Sequence, residues 1–270
     1  MGKRQSRAWV VSDELWSLIE PLLPEPGPKL VSGRPRVPDR QALCGILFVL
    51  HTGIQWEYLP QELGFGSGMT CWRRLAAWNE AGVWGELHLV LLRKLRSAKK
   101  LDWSRAVIDS SHVRAGPAGP KSGPSPVDGT RPGSKHHILT DGQGIPLTVS
   151  LTGGNRNDVT QLLPSLDKVP AVAGLVGRPT PDMLFADRGY DHDKYRRLLW
   201  QRGIRPVIAE RGGQHGTGLG TFRWVVERTI SWLHGFRRLR IRWERRDDIH
   251  EAFLGLATCL ITHRHVQHLC

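Results

Sequence analysis

At 270 residues the chain is long enough to bury a full core and to divide into two domains. Its 40% apolar content and eleven Trp indicate a folded globular protein, and 38 Lys and Arg against 25 Asp and Glu leave a net charge of +13, which attracts polyanions and above all nucleic acid. No apolar run approaches the roughly 20 residues that span a bilayer, and the basic opening MGKRQSRAWVVSDELW has no apolar signal segment, so no membrane partner is expected and a soluble, cytoplasmic, nucleoid-associated protein is.

Ser12 to Leu23 predicts a short helix capped by Ser12, with Leu15, Trp16, Ile19 and Leu22 as its stripe and Pro21 ending or kinking it. The Pro- and Gly-rich stretch from Pro24 to Arg40 excludes regular helix. Its GRPR reads either as a solvated linker or as a minor-groove arm carrying Arg34 and Arg36. Asp39 is expected to cap a buried helix containing Leu43, Ile46, Leu47 and Leu50. WEYLPQELG and SGMTCWRRLAAWNEAG, joined by a glycine turn, outline either a helix-turn-helix or a plain helical bundle. In the first case Thr70, Arg73, Arg74 and Trp78 lie on or near the recognition helix. Trp84 to Leu95 closes the helical region, with a basic hinge from Arg93 to Lys100.

Beyond Asp102 the texture becomes β-like. Val107 and Ile108 run into Asp109, and a long Gly, Pro and Ser loop follows from Ala115 to Gly133. His136–Thr140 and Leu147–Leu151 predict a hairpin, Asp158 to Leu166 a helix capped by Asp158, and Met183–Ala186 a buried strand ending in Asp187. A helix from Asp193, a strand from Arg205 and a glycine-rich connector then lead to FRWVVERTISWLHGFRRLRIRWERR, Phe222 to Arg246. Read as one helix, it puts Arg223, Glu227, Ser231, His234 and Arg238 on one stripe, with Trp224 on the side facing the core.

Asp109 and Asp187 each close a strand, and residues past the carboxyl ends of such strands face a common crevice. Glu227 adds a third carboxylate, either as an ion-pair partner of Arg223 or Arg228 or as a ligand. Three such acids suit a pair of divalent ions about 3.5–4 Å apart, the arrangement that serves phosphodiester chemistry, and oxygen ligands suit Mg²⁺. The cysteines Cys44, Cys71, Cys259 and Cys270 form no CxxC pair and indicate neither a disulfide framework nor a zinc ribbon. His263, His265, His268 and Cys270 have metal-like spacing at the chain end, where a structural zinc is not expected.

The chain resembles the insertion sequence 5 (IS5) family of bacterial transposases through its WVVSDELWSLIEPLLP opening, GRPR, LCGILFVLHTGIQWEYLP, VIDSSHVRA, KHHILTDGQGIPLTVSLTGGNRND, FADRGYD and the Phe222–Arg246 stretch. The resemblance covers nearly the whole sequence. It implies an α/β fold: a ribonuclease H-like mixed-sheet catalytic domain over 101–270, preceded by a mostly helical, helix-turn-helix-like domain over 1–100. It implies Asp109, Asp187 and Glu227 as the catalytic, metal-binding triad. It also implies a Tyr, Arg, Glu, Lys signature in which Arg223 matches the Arg, while Gly220 stands in place of the Tyr and His234 in place of the Lys.

The resulting expectation is a DNA transposase that uses two Mg²⁺ ions, with Mn²⁺ as a substitute, to cleave at element ends and to transfer a 3′-hydroxyl into target DNA. Arg73, Arg74, Lys135, Arg223, His234, Arg237, Arg238, Arg240, Arg242, Arg245 and Arg246 are the candidate DNA contacts. The partner is double-stranded DNA, and joining two ends calls for a homo-oligomeric synaptic complex. Two alternatives share these residues: a domesticated DNA-binding regulator that does not cut, and a ribonuclease H-like nuclease without strand transfer.

Overall fold

The computed structural model describes residues 7–25, 27, 35–170, 180–212 and 220–268. Arg34, Cys270 and most of the glycine-rich connector after Gly212 lie outside them. Four helices come first: α1 (Asp13–Ile19), α2 (Asp39–Thr52), α3 (Gly68–Glu80) and α4 (Val83–Ser97). Ser12 caps α1 by accepting from the Leu15 N–H, and a 3₁₀ turn over Glu20–Leu22 follows at Pro21. Gly53, in the left-handed conformation at φ 75°, ends α2. Asp39 is not the cap of α2: Pro38 occupies that place, and the Asp39 carboxylate is engaged by Arg74 and Arg36.

WEYLPQELG forms two single 3₁₀ turns, Trp56–Tyr58 and Gln61–Leu63, rather than a helix. α3 is capped by Ser67 and buries Cys71, Leu75 and Trp78, so Trp78 belongs to the core and not to a reading face. Gly68 sits against the chain: an added Cβ would meet the Trp56 carbonyl oxygen at 1.8 Å. α4 runs through Arg93 to Ser97, where a hinge was expected.

The sheet comprises β1 (Arg105–Ala115), β2 (Gly123–Pro124), β3 (Pro132–Asp141), β4 (Pro146–Gly153), β5 (Met183–Ala186), β6 (Arg205–Ile208) and β7 (Ile241–Arg242). β3 lies antiparallel to both β1 and β4, while β5 lies parallel to β1 and β6 parallel to β5. Successive strands β4, β3, β1, β5 and β6 therefore form a mixed sheet, antiparallel on one side of β1 and parallel on the other, as the resemblance to a ribonuclease H-like fold implies. Alternation along β1 divides its side chains between two cores. Val107 joins Ile138, Phe185 and the N-terminal helices, whereas Ala106 and Ile108 join Leu139, Leu184, Leu162 and Leu199. The second group includes residues of α5 (Leu162–Asp167) and α6 (Asp193–Gln201).

α7 (Gly220–Gly235) lies over β1, and α8 (Asp247–Gln267) is buried along most of its length. The expected single helix to Arg246 is thus broken at Gly235; a 3₁₀ turn, Arg237–Leu239, and β7 follow. α8 joins the two halves of the chain. Phe253 stacks on Trp56 at 5.6 Å, the Cys259 thiol donates to the Trp84 carbonyl, and the Asn79 amide donates to the Asp248 carbonyl. The helical segment and the sheet consequently share a continuous apolar core rather than meeting at a loose joint. Among the described residues no helix is long and apolar enough to cross a membrane.

Candidate active site

β1 and β5 set the two aspartates side by side. Val107 is level with Phe185, and carrying that register forward brings Asp109 level with Asp187, just past the end of the neighbouring strand. Asp187 stops β5 and caps the turn Arg188–Tyr190, its Oδ1 accepting from the Gly189 N–H at 2.8 Å. Asp109 Oδ1 accepts from the Ser110 N–H at 2.8 Å, and Arg223 of α7 donates to Asp109 Oδ2 at 3.0 Å. Burial raises the Asp109 carboxyl above the usual carboxylate range; Arg223 opposes the rise and Asp187 adds to it.

Glu227 lies one turn after Arg223, with its carboxylate 4.0 Å from that guanidinium and largely exposed. Arg223 therefore stands between two of the three acids. Among the described residues no three His, Cys, Asp or Glu side chains are close enough to hold a metal ion, which also covers His263, His265 and His268. The chemistry of the donors suits a hard divalent cation: Asp109 and Asp187 are carboxylates close enough to repel each other, and Glu227 is an exposed carboxylate one turn from Arg223.

Two further groups at this site were not evident from the sequence. Asp158 is not a helix cap, since Asn157 takes that part by accepting from the Val159 N–H. Its carboxylate instead accepts from Ser110 Oγ and from Lys135 Nζ, both at 2.9 Å. Tyr190, 1% exposed, has a hydroxyl with no hydrogen-bond partner among the described residues. Burial pushes that hydroxyl well up, and Asp158, Asp109 and Asp187 push it further. The signals were faint: Tyr190 stands three residues after Asp187, and Asp158 is found only through partners on other strands.

The candidate DNA contacts separate by exposure. Arg73, Arg237, Arg240, Arg245 and Arg246 face solvent. Arg246 also pairs with Asp248 and lies 5.3 Å over the Trp72 ring. Arg74 turns to Asp39. Lys135 is buried on Asp158 and on the Arg156 carbonyl, so its ammonium is already satisfied.

Arg238 is equally internal. It pairs with Glu244 at 2.6 Å and donates to the Ile54 carbonyl at 2.8 Å. Burial pushes Glu244 up, but His250 and Arg238 outweigh it and keep its carboxyl below the usual range. Arg242, fully buried, donates to Ser134 Oγ and to the carbonyls of Pro120, Glu244 and Arg245. Lys135, Arg238 and Arg242 are therefore internal ties and not phosphate contacts in this structure.

His234 is half-buried, its Nε2 3.3 Å from Ser111 Oγ. Burial and then Arg240 lower its pKa, favouring the neutral ring. Trp224, expected on the core side, is 49% exposed. It and Trp232 sandwich the Arg228 guanidinium at 4.5 and 4.7 Å.

Residues 11–88 match the family described as "Putative transposase of IS4/5 family", and residues 103–262 match "Transposase DDE domain". "Putative transposase for insertion sequence element IS402" from Burkholderia cepacia is 62% identical over 144 residues, covering 53% of this chain and 68% of that protein. "Insertion element IS402 uncharacterized 16.2 kDa protein" from the same organism is 56% identical over 119 residues, 43% of this chain and 81% of the relative. Among solved structures, "Crystal structure of the Mos1 Strand Transfer Complex" aligns at 11% identity with a TM-score of 0.33, covering 90% of this chain and 79% of that one. With the DDE domain match extending over more than half of its length, the chain belongs to the DDE transposases and is similar to those of the IS4/5 group.

Proposed function

We propose that this transposase cleaves DNA at the ends of its element and joins the freed 3′-hydroxyl to target DNA, using Asp109, Asp187 and Glu227 as the ligands of two Mg²⁺ ions. The observation that carries the reading is the level placement of Asp109 on β1 and Asp187 at the end of the parallel β5, with Glu227 on the helix above β1. When bound, such ions supply an activated oxygen nucleophile and neutralise charge on the leaving oxygen, and Mn²⁺ has the same oxygen preference.

The chain's own residues position the DNA. Arg237 and Arg245 are exposed toward solvent and placed to meet phosphates, Arg240 and Arg246 are exposed but engaged by the His234 carbonyl and by Asp248, and Arg73 extends the basic surface onto α3. Arg223 is placed to leave Asp109 for a phosphate as the acids take up their ions. His234, neutral and beside Ser111, is suited to donate a hydrogen bond where the family signature has a charged Lys. Bringing two ends together calls for at least two copies of the chain, acting in the cytoplasm on nucleoid DNA.

The test is cleavage and joining of duplexes bearing the element's own ends. Asp187→Asn should abolish Mg²⁺-dependent nicking, by on the order of 10⁴-fold or more, while retaining end binding. Full nicking by that variant overturns the assignment. A regulator that only binds DNA predicts no nicking by the unaltered protein, and a simple nuclease predicts nicking without a joined product.

A further inference from the structure

From Gln41 to Trp72 the chain carries no Lys or Arg, although its net charge is +13. The exposed part of that stretch is chiefly the pair of 3₁₀ turns, Trp56–Tyr58 and Gln61–Leu63, and the start of α3. Its formal charges are Glu57 and Glu62, both exposed, and among the described residues neither has a cation partner. Tyr58, Leu63 and Met69 put apolar side chains into solvent along it.

A groove of about 570 Å³ opens here, between the two turns and the residue that follows β7. Trp56, Met69 and Trp243 supply its apolar walls, Gln55 and Gln61 its amides. The walls are held in place. Trp56 is stacked on Phe253 at 5.6 Å, and its carbonyl lies against Gly68. Trp243 rests on the backbone at Gly116, where an added Cβ would stand 3.1 Å from the indole, yet half of it is exposed. Arg238 also lines the groove, but Glu244 neutralises it, so the unpaired charge in the lining is Glu57. Phosphates are repelled from such a surface. An apolar, aromatic groove edged by carboxylates suits a protein partner that brings an apolar anchor and positive charge.

The chain carries that combination on α6, beside the edge strand β6. Trp200, near the C-terminal end of α6, is 58% exposed. Its backbone is fixed by buried Leu199 before it and by the Gly203 N–H, which donates to the Trp200 carbonyl at 3.0 Å. Lys194 and Arg197 are exposed on the same helix, Arg197 one turn before Trp200. Among the described residues neither has a carboxylate partner, whereas the neighbouring Arg196 and Arg202 pair with Asp191 and Asp167. The groove has room for one indole, and its two carboxylates match the two cations.

We infer that the groove between Trp56 and Trp243 receives Trp200 of a second copy of this chain, with Glu57 and Glu62 facing Lys194 and Arg197 across the contact. A buried aromatic anchor supplies the affinity of such a contact, and the charges select the partner. Knob and groove lie on different surfaces, so the contact is heterologous and closes where the copies complete it for one another. The inference rests on the proposed joining of two ends, which needs at least two copies, and names the surface that brings them together.

The test is sedimentation velocity of the full chain without DNA over a range of protein and salt concentrations. Thermal melts serve as the folding control, and nicking of an end-bearing duplex is recorded in parallel. The unaltered protein should self-associate, and less so as salt rises. Trp200→Ala should weaken association by on the order of 30-fold. Glu57→Lys/Glu62→Lys should weaken it by about tenfold, and adding Lys194→Glu/Arg197→Glu to that variant should restore it. A monomer at every concentration, association that none of these changes moves, or failure of the charge exchange to restore it overturns the contact. With normal nicking by the unaltered protein, the proposed function then stands; self-association as described without nicking does the reverse. If Lys194→Gln/Arg197→Gln leaves sedimentation unchanged and instead flattens the salt dependence of DNA binding by about two, α6 faces DNA and the contact between copies fails.

Discussion

Arg223 donates to Asp109 across 3.0 Å while approaching Glu227 at 4.0 Å, so that one guanidinium serves both carboxylates. Asp109 is mostly buried beside another aspartate, and removing its counterion leaves it unpaired. Arg223→Ala should therefore lower stability by about 2 kcal/mol in chelator, less than for a fully buried pair because both groups keep some solvent contact. Added Mn²⁺ should raise the melting temperature of the variant more than that of the unaltered protein, since the ion no longer competes with Arg223. Equal shifts in scanning calorimetry refute this competition.

The arginines after α7 should behave as two classes. Arg238→Ala breaks a buried pair with Glu244 and should cost about 3–5 kcal/mol, whereas Arg245→Ala, at an exposed position, should stay within about 0.5 kcal/mol. In DNA binding the order reverses: Arg245→Ala should flatten the salt slope by about one. Urea titrations and binding isotherms on both variants decide the matter, and comparable stability losses would contradict the division.

Stability should fall on the acid side because buried histidines must take up protons. Burial holds His88 down to about 4, although its hydrogen bond with the Pro146 carbonyl at 2.9 Å opposes the shift. Folding thus favours the neutral ring. The stability it contributes is present above about pH 6.5, the unfolded value, and is lost as pH falls through about 4, up to about 3 kcal/mol. His137, also lowered to about 4 by burial, acts in the same direction. His88→Gln should flatten the decline between pH 6.5 and 4 in urea-unfolding series, and an unaltered slope rules out His88 as a source.

Gly68→Ala should be disproportionately harmful for so small a change. The new methyl would have to displace the Trp56 carbonyl, a backbone atom fixed by the stack of Trp56 on Phe253. A loss of about 2 kcal/mol or more is expected, against a helix-propensity gain of at most about 1 kcal/mol. A melting temperature at or above that of the unaltered protein would disprove the contact.

The place of Asp187 was legible because it follows an apolar β run, Leu184–Ala186, and does end β5; Asp109 follows a similar run but does not close its strand, since β1 continues to Ala115 in pairing with β3. Glu227 was legible from helical spacing to Arg223. Asp158 was not, because the Ser110 and Lys135 that define it are 48 and 23 residues away in sequence. The fates of Arg238 and Arg242 were hidden for a related reason: Gly235 ends α7, the chain reverses, and Glu244 becomes an internal partner. A continuous helix in their place would have pointed both arginines along one outward stripe. The boundary near residue 100 marked a real change from helix to strand, but no local pattern revealed that α8 packs against both sides of it.

That packing also orders events on the ribosome. α2, α3 and α4 leave Trp56, Trp84 and the α4 face without their α8 partners until Asp247–Gln267 has been made. At ordinary elongation rates that helix is synthesised roughly ten to thirty seconds after α4. The N-terminal helices are thus exposed to chaperones and to premature association for the whole interval, and a nascent chain stalled before α8 should remain sensitive to protease throughout its first hundred or so residues.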